Sequence, residues 1–200
     1  ARYTSTKESL WSIIFRAGMS FGSLEEKRVN IIIVGSGKVG YTLAQHLNAE
    51  GHEITVIDSD EEKIKDKTLF KFKGFVPSDQ LIEQVSAHFG LIWEGDSIHT
   101  CSGDLGIYQK INNPHKASLY IRCNLPIIIW KEAALASFVA ENKIGVCIDS
   151  LEELDSILSS ISAESYNEMV RNIKEINKKI ASGYYCKRAV ENAESLLQLT

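Results

Sequence analysis

The sequence lacks the excess of basic residues that is typical of nucleic-acid-binding proteins. Lys and Arg number 22, Asp and Glu number 26, and the 200-residue chain has a formal net charge of -4. Proteins that bind nucleic acids usually rely on a basic surface that neutralises the phosphates. We therefore expect no nucleic-acid partner.

The sequence is also poor in the features of metal-bound, disulfide-stabilised or membrane-spanning proteins. Its four cysteines are far apart and form no Cys-x-x-Cys pair, so their spacing indicates neither a metal site nor a disulfide framework. Reduced thiols are typical of the cytoplasm, where we expect this protein. The apolar stretch SLWSIIF, residues 9–15, is much shorter than the roughly 20 residues of a transmembrane helix. We predict no transmembrane segment and interpret residues 1–29 as a helical extension.

Strand and helix patterns alternate along the rest of the chain, without a long Pro-, Gly- or Ser-rich tract. Short apolar runs predict strands over residues 29–34, 53–58, 69–74, 89–93, 126–130 and 144–149. Helical patterns cover residues 39–50, 78–88, 114–122, 132–142 and 151–160, and a helical tail follows over 163–200. This alternation predicts an α/β fold: a Rossmann-like, doubly wound, parallel six-stranded sheet in the order 3-2-1-4-5-6, within one domain of residues 30–200. Residues 94–112 are predicted to be a long irregular loop.

Three glycines at Gly-x-Gly-x-x-Gly spacing, Gly35, Gly37 and Gly40, follow the first strand and open a helix. In dinucleotide-binding proteins these positions allow a tight turn, close approach of a pyrophosphate to the backbone, and close helix packing. Asp58 ends the second strand, where an acidic side chain accepts hydrogen bonds from the ribose of NAD. Alternatively, the glycines serve only a tight strand-to-helix crossover, and Asp58 is only a turn residue.

The segment NIIIVGSGKVGYTLAQHLNAEGHEITVIDSDEEKI, residues 30–64, resembles the start of the nucleotide-binding domain of the TrkA family, the regulatory subunits of bacterial potassium uptake. The resemblance covers residues 30–66, about one βαβ unit. It implies that Gly35, Gly37, Gly40 and Asp58 bind NAD or NADH.

A second pattern suited to phosphate is NNPHKASLY, residues 112–120. Asn113 is a favourable N-cap and Pro114 suits the first position of a helix. The free N–H groups at a helix start attract phosphate, and Lys116 adds a full positive charge. We therefore regard Lys116 as the main candidate catalytic residue. The alternative is a capped helix with a solvated lysine.

Residues 67–200 resemble the C-terminal, donor-binding half of bacterial GT-B glycosyltransferases of the galactofuranosyltransferase or glucosyltransferase type. The matching segments are KGFVPSDQLIEQVSAHFGLIWEG, NNPHKASLYIRCNLPIIIWKEAALASFVAENKIGVCIDSLEEL and GYYCKRAVENAE. The resemblance implies a nucleotide-sugar donor, with UDP as the expected nucleotide and no further cofactor or metal. It also implies that Lys116 contacts the diphosphate, that Phe75 lies beside the base, and that Asn113 and Ser118 line the same pocket.

In the expected strand order, the glycine turn and the helix of Lys116 flank one crevice, so a single pyrophosphate is expected to lie between Gly37 and Lys116. We therefore expect the nucleotide-sugar-binding half of a hexosyltransferase in surface-glycan or glycoprotein synthesis. Its expected partners are an acceptor-binding domain or chain and further copies of this chain. The first residue, Ala1, indicates a fragment or a processed product. Two alternatives stay open: a non-enzymatic NAD(H)-binding regulatory module of potassium transport, and a composite chain with neither activity.

Overall fold

A six-stranded parallel sheet forms the centre of the protein. The computed structural model describes residues 29–35, 37–58, 71–74, 76–77, 80–82, 85–95 and 97–198. The strands are β1 Asn30–Val34, β2 Glu53–Ile57, β3 Lys71–Lys73, β4 Phe89–Ile92, β5 Ile127–Trp130 and β6 Gly145–Ile148. Their order, β3-β2-β1-β4-β5-β6, confirms the predicted doubly wound α/β fold. The predicted N-terminal helix falls in residues 1–28, outside the described part of the chain.

The central strands are runs of apolar residues because both faces of the sheet are covered. All four residues of β4 and of β5 are buried. Strand β1 pairs with β2 along its whole length, from Asn30 opposite Glu53 to Val34 opposite Ile57. Towards β4, however, β1 pairs only through Ile31 and Ile32. The two central strands therefore separate as they approach their carboxyl ends, where the order of the strands reverses.

The helices with defined ends are α1 Gly37–Ala49, α2 Gly103–Gln109, α3 His115–Arg122, α4 Ala136–Glu141, α5 Leu154–Ser160, α6 Ala163–Ala181 and α7 Tyr184–Gln198, and residues 80–82 are also helical. Helix α5 follows a 3-10 turn, Leu151–Glu153, which begins with a capping box. In that box the Ser150 hydroxyl accepts from the Glu152 N–H, and the Glu153 carboxylate accepts from the Ser150 N–H. The short polar signal at Ser150 thus starts the helical segment at the predicted place.

Three predicted segments differ from the structure. The stretch 94–112 is not irregular throughout, because it contains helix α2. The helix predicted over 78–88 ends early: residues 85–88 are not helical, since His88 donates from its backbone N–H to the Asn30 carbonyl at the start of β1. The helix predicted over 132–142 begins only at Ala136. The turn before it is held to α2 by a bond from the Ala134 N–H to the Gln109 carbonyl, 3.0 Å long.

The predicted helical tail is confirmed as helices α6 and α7. Helix α6 buries Ile173 and Ile176. It is fixed to the end of α3 by Asn177, whose amide donates to the Arg122 carbonyl and to Asn124 Oδ1. Helix α7 leaves several large apolar side chains exposed, namely Tyr184, Tyr185, Val190, Leu196 and Leu197. Among the described residues, no helix has the length and apolar character needed to cross a membrane.

Candidate functional site

The side chain of Tyr120 occupies the place where β1 and β4 separate. Its hydroxyl accepts a hydrogen bond from the Val34 N–H on β1 and donates to the Leu91 carbonyl on β4, each at 3.1 Å. The ring is buried, and it packs on Gly90, where an added Cβ would lie 2.5 Å from Tyr120 Cδ2. Burial raises the pKa of this phenol well above its usual value, so the hydroxyl keeps its proton. Tyr120 therefore provides hydrogen-bond partners for the Val34 N–H and the Leu91 carbonyl, two backbone groups on strands that have separated at this point.

Lys116 lies one helical turn before Tyr120, on the same face of α3. Its ammonium is beside the turn after β1: a Cβ added at Gly35 would stand 3.8 Å from Lys116 Nζ. Gly35 has a φ of +78°, in the region where glycine is strongly favoured. Its N–H donates to the Ile57 carbonyl at the end of β2, at 2.8 Å. The structure thus brings together Lys116 and the glycine turn, from opposite sides of one crevice.

Glu94 is a member of this site that the sequence did not reveal. Lys116 Nζ donates to Glu94 Oε1 at 2.7 Å, and the two side chains are 26% and 30% exposed. Glu94 is the second residue after β4, so the topology alone places it at the carboxyl end of the sheet, next to the turn after β1. The signal that the sequence analysis missed is an acidic residue shortly after β4, the strand that neighbours β1 in the sheet.

The loop that carries Glu94 is closely packed. The Glu94 N–H donates to the buried Cys101 sulfur at 3.4 Å. Gly95 has a φ of +105°, and a Cβ there would lie 2.5 Å from the Ser102 backbone nitrogen. Burial raises the pKa of the Cys101 thiol to about 12, so this cysteine is a structural thiol rather than a nucleophile.

The remaining residues of the glycine motif lie at the same edge of the sheet. Helix α1 begins at Gly37, which puts both Gly37 and Gly40 in its first turn. Asp58 follows β2 directly and is half-buried. Because Val34 pairs with Ile57, the residues after them, Gly35 and Asp58, occupy neighbouring positions at the carboxyl end.

Asn113 and Ser118 are not beside Lys116. They line a separate, largely apolar groove between α3, α4 and the α6–α7 turn, which also includes Leu135, Phe138 and Tyr185. The N-cap of α3 is Pro114, not Asn113, and it makes no side-chain capping bond. A donor site shared by Lys116, Asn113 and Ser118 therefore stays a prediction. Phe75 lies outside the described residues.

Asp104 and Tyr108 belong to helix α2, and both are exposed. Tyr108 is accompanied on this helix by exposed Leu105 and Ile107. Within the described residues, no group of three or more His, Cys, Asp or Glu side chains is arranged as metal ligands would be.

Comparison with known proteins assigns the family. Residues 31–193 match the family described as glucosyltransferase 3-like, C-terminal domain. The chain belongs to this family. The β-1,6-galactofuranosyltransferase WbbI of Escherichia coli (strain K12) is 36% identical to this chain over 159 residues, which are 80% of this chain and 48% of WbbI. The glucosyltransferase 3-like chain thus spans about half the length of this curated relative.

A solved structure supports the fold. AviGT4, a glycosyltransferase involved in avilamycin A biosynthesis, superposes with a TM-score of 0.57 at 16% identity, covering 88% of this chain and 53% of AviGT4. At this identity the likeness concerns the fold alone.

The TrkA resemblance is confirmed over a short segment only. The Trk system potassium uptake protein TrkA of Halomonas elongata is 47% identical over 38 residues, which are 19% of this chain and 8% of that protein. The family match covers far more of the chain, so the short segment belongs within the glucosyltransferase 3-like domain.

Proposed function

We propose that this chain is the donor-binding half of a glycosyltransferase and that it holds a nucleoside diphosphate sugar, with UDP as the nucleotide, in the crevice between β1 and β4. The observation that carries this proposal is the position of the Lys116 ammonium beside the Gly35 turn. Both features lie at the carboxyl ends of the central strands, where ligands of doubly wound sheets bind.

The diphosphate would lie between the glycine turn and Lys116. On one side, the first turn of α1 presents backbone N–H groups and the positive end of the helix dipole. On the other side, Lys116 supplies a full charge from the first turn of α3. When the bond between sugar and diphosphate breaks, negative charge develops on the departing nucleotide. A fixed ammonium at that position stabilises this charge and lowers the barrier.

The transferred group would be a hexose, by analogy with WbbI, whose name describes a galactofuranosyltransferase. Since the chain spans 48% of WbbI, we propose that the acceptor is bound by a second domain or chain that faces the carboxyl edge of this sheet. The exposed residues Asp104 and Tyr108 on α2 are candidates for contacts with the sugar or the acceptor.

A second candidate function is the binding of NAD(H) by a regulatory module. It is favoured by one observation: α1 begins at Gly37 and Asp58 follows β2, as in dinucleotide sites where an acidic residue binds the ribose. In that case Asp58, rather than Lys116, would determine affinity.

Parallel thermal-shift titrations with UDP and NADH distinguish the two functions. A ligand at 100 times its dissociation constant stabilises the folded state by about 2.7 kcal/mol. We expect a shift with UDP and none with NADH. A shift with NADH alone would contradict the proposed function.

A further inference from the structure

Lys116 already has an anionic partner in the crevice. Its ammonium donates to Glu94 Oε1 at 2.7 Å, and each side chain is less than one-third exposed. A carboxylate this close to the ammonium would repel the diphosphate that the ammonium attracts. The proposed donor and Glu94 therefore compete for the same ammonium.

The ion pair also fixes the position of the Lys116 ammonium in the ligand-free crevice. A lysine side chain has many rotamers, and an unpaired one would lose that freedom only when ligand binds. The Glu94 contact keeps the ammonium beside Gly35 before ligand arrives, because the backbone of Glu94 is held by Cys101 and by the close packing of Gly95 on Ser102. When the Lys116 ammonium changes its partner from Glu94 to the diphosphate, only the side chains need to rotate and the loop that carries Glu94 stays in place.

We infer that Glu94 and the nucleoside diphosphate alternate as ion-pair partners of Lys116, an arrangement called exchange below. Glu94 pairs with the ammonium in the ligand-free crevice and pairs with it again as the diphosphate leaves. This inference rests on the proposed function. Glu94 thereby lowers the affinity for the diphosphate product and speeds its release, while Lys116 still meets each new donor in place. No bond is made or broken in this exchange, and the ammonium stays paired in both states.

The test is the affinity of the full chain for UDP, measured by calorimetry, together with the dissociation rate. Glu94→Gln keeps the shape of the side chain and removes its charge. We expect it to bind UDP about three- to fivefold more tightly, the size of effect of a modest ion pair, with slower dissociation. Damage to the fold would not produce tighter binding, so this result separates exchange from a structural role of Glu94.

Two further variants control the experiment. In a Lys116→Ala background, Glu94→Gln should give a clearly smaller gain, because the competition for the ammonium no longer exists and only the repulsion between Glu94 and the diphosphate is relieved. Asp149→Asn should also leave UDP affinity unchanged, since Asp149 pairs with Lys131 at 2.9 Å after the neighbouring strands β5 and β6, away from the crevice between β1 and β4.

The outcomes separate this inference from the proposed function. Wild-type binding that depends on Lys116, with equal or weaker binding by Glu94→Gln, would overturn the exchange alone. Failure of the wild-type chain to bind UDP would overturn both the proposed function and the exchange.

Discussion

Tyr120 and Gly90 are in direct contact, with the tyrosine ring covering the backbone of the glycine. A Cβ on Gly90 would overlap the ring, its distance to Cδ2 being 2.5 Å. The same tyrosine joins β1 to β4 through its hydroxyl. Gly90 thus makes room for the side chain that fills the start of the crevice, and Lys116 lies on the preceding turn of the same helix.

Gly90→Ala should therefore destabilise the protein and disturb the crevice. The added methyl group would push Tyr120 away from β1 and β4, and overpacking of a core typically costs about 1–3 kcal/mol. Chemical denaturation measures the loss of unfolding free energy. Gly74→Ala is the matched control, because a Cβ there meets no atom of the described residues within 4 Å. Equal stability of the two variants would contradict this account of the contact.

Lys116→Ala should remove most of the UDP affinity. A hydrogen bond from a charged donor contributes about 1.5–3 kcal/mol. We therefore expect calorimetry to give a dissociation constant roughly ten- to hundredfold higher than that of the wild type. Lys131→Ala serves as a control, since Lys131 follows β5 at the same edge and is also ion-paired. If both variants bind UDP as the wild type does, Lys116 is not the diphosphate ligand.

Asp58→Ala tests which ligand the glycine turn serves. Under the proposed function, UDP should still raise the melting temperature of this variant by nearly the wild-type amount. NADH should have no effect on either protein. The opposite pattern, an NADH shift that Asp58→Ala abolishes and Lys116→Ala preserves, would assign the crevice to NAD(H).

The stability of the fold should fall in mild acid because of His88. Its Nδ1 accepts a hydrogen bond from the Asn30 N–H at 2.9 Å, which requires that nitrogen to be unprotonated. Burial lowers the His88 pKa, while nearby Glu53 opposes this shift. An unfolded histidine titrates near 6.5. Below about pH 6.5 the unfolded chain binds more protons than the folded chain. The free energy of unfolding that depends on neutral His88 is therefore present above about pH 6.5 and is lost as the pH falls.

His88→Asn retains an acceptor for the Asn30 N–H and cannot titrate. It should flatten the decrease in melting temperature between pH 7.5 and 5.5. Buried His52, whose pKa burial also lowers, should account for the acid sensitivity that persists in His88→Asn. An unaltered pH dependence in His88→Asn would contradict the assignment to His88.

The sheet could be predicted from the sequence because apolar runs define strands directly. All six strands and their order follow from runs such as NIIIV and IIIW. Helix α2 was missed because its two glycines, Gly103 and Gly106, suggest a loop. Gly106 in fact allows α2 to pack on Cys101, where a Cβ would lie 2.5 Å from the carbonyl oxygen. The contact spans only five residues, but intrinsic helix propensity, in which glycine ranks low, takes no account of such packing.

The candidate site was only partly predictable for a related reason. The glycine turn and Lys116 carry local signals, and the strand order brings them together. Glu94 has no local signal, because its ion pair depends on the distance between β4 and α3 in space. Ser118 is close to Lys116 in sequence, but helical rotation places it on another side of α3; it lines a different groove together with Asn113, which precedes the helix.

Helix α3 also limits how this site can evolve. Its inner face carries Tyr120, which packs in the core, and Lys116, the diphosphate ligand of the proposed function, within eight residues, so a substitution that alters one role affects the other. We therefore expect that substitutions on this face of α3 will change the stability of the fold and the affinity for UDP together.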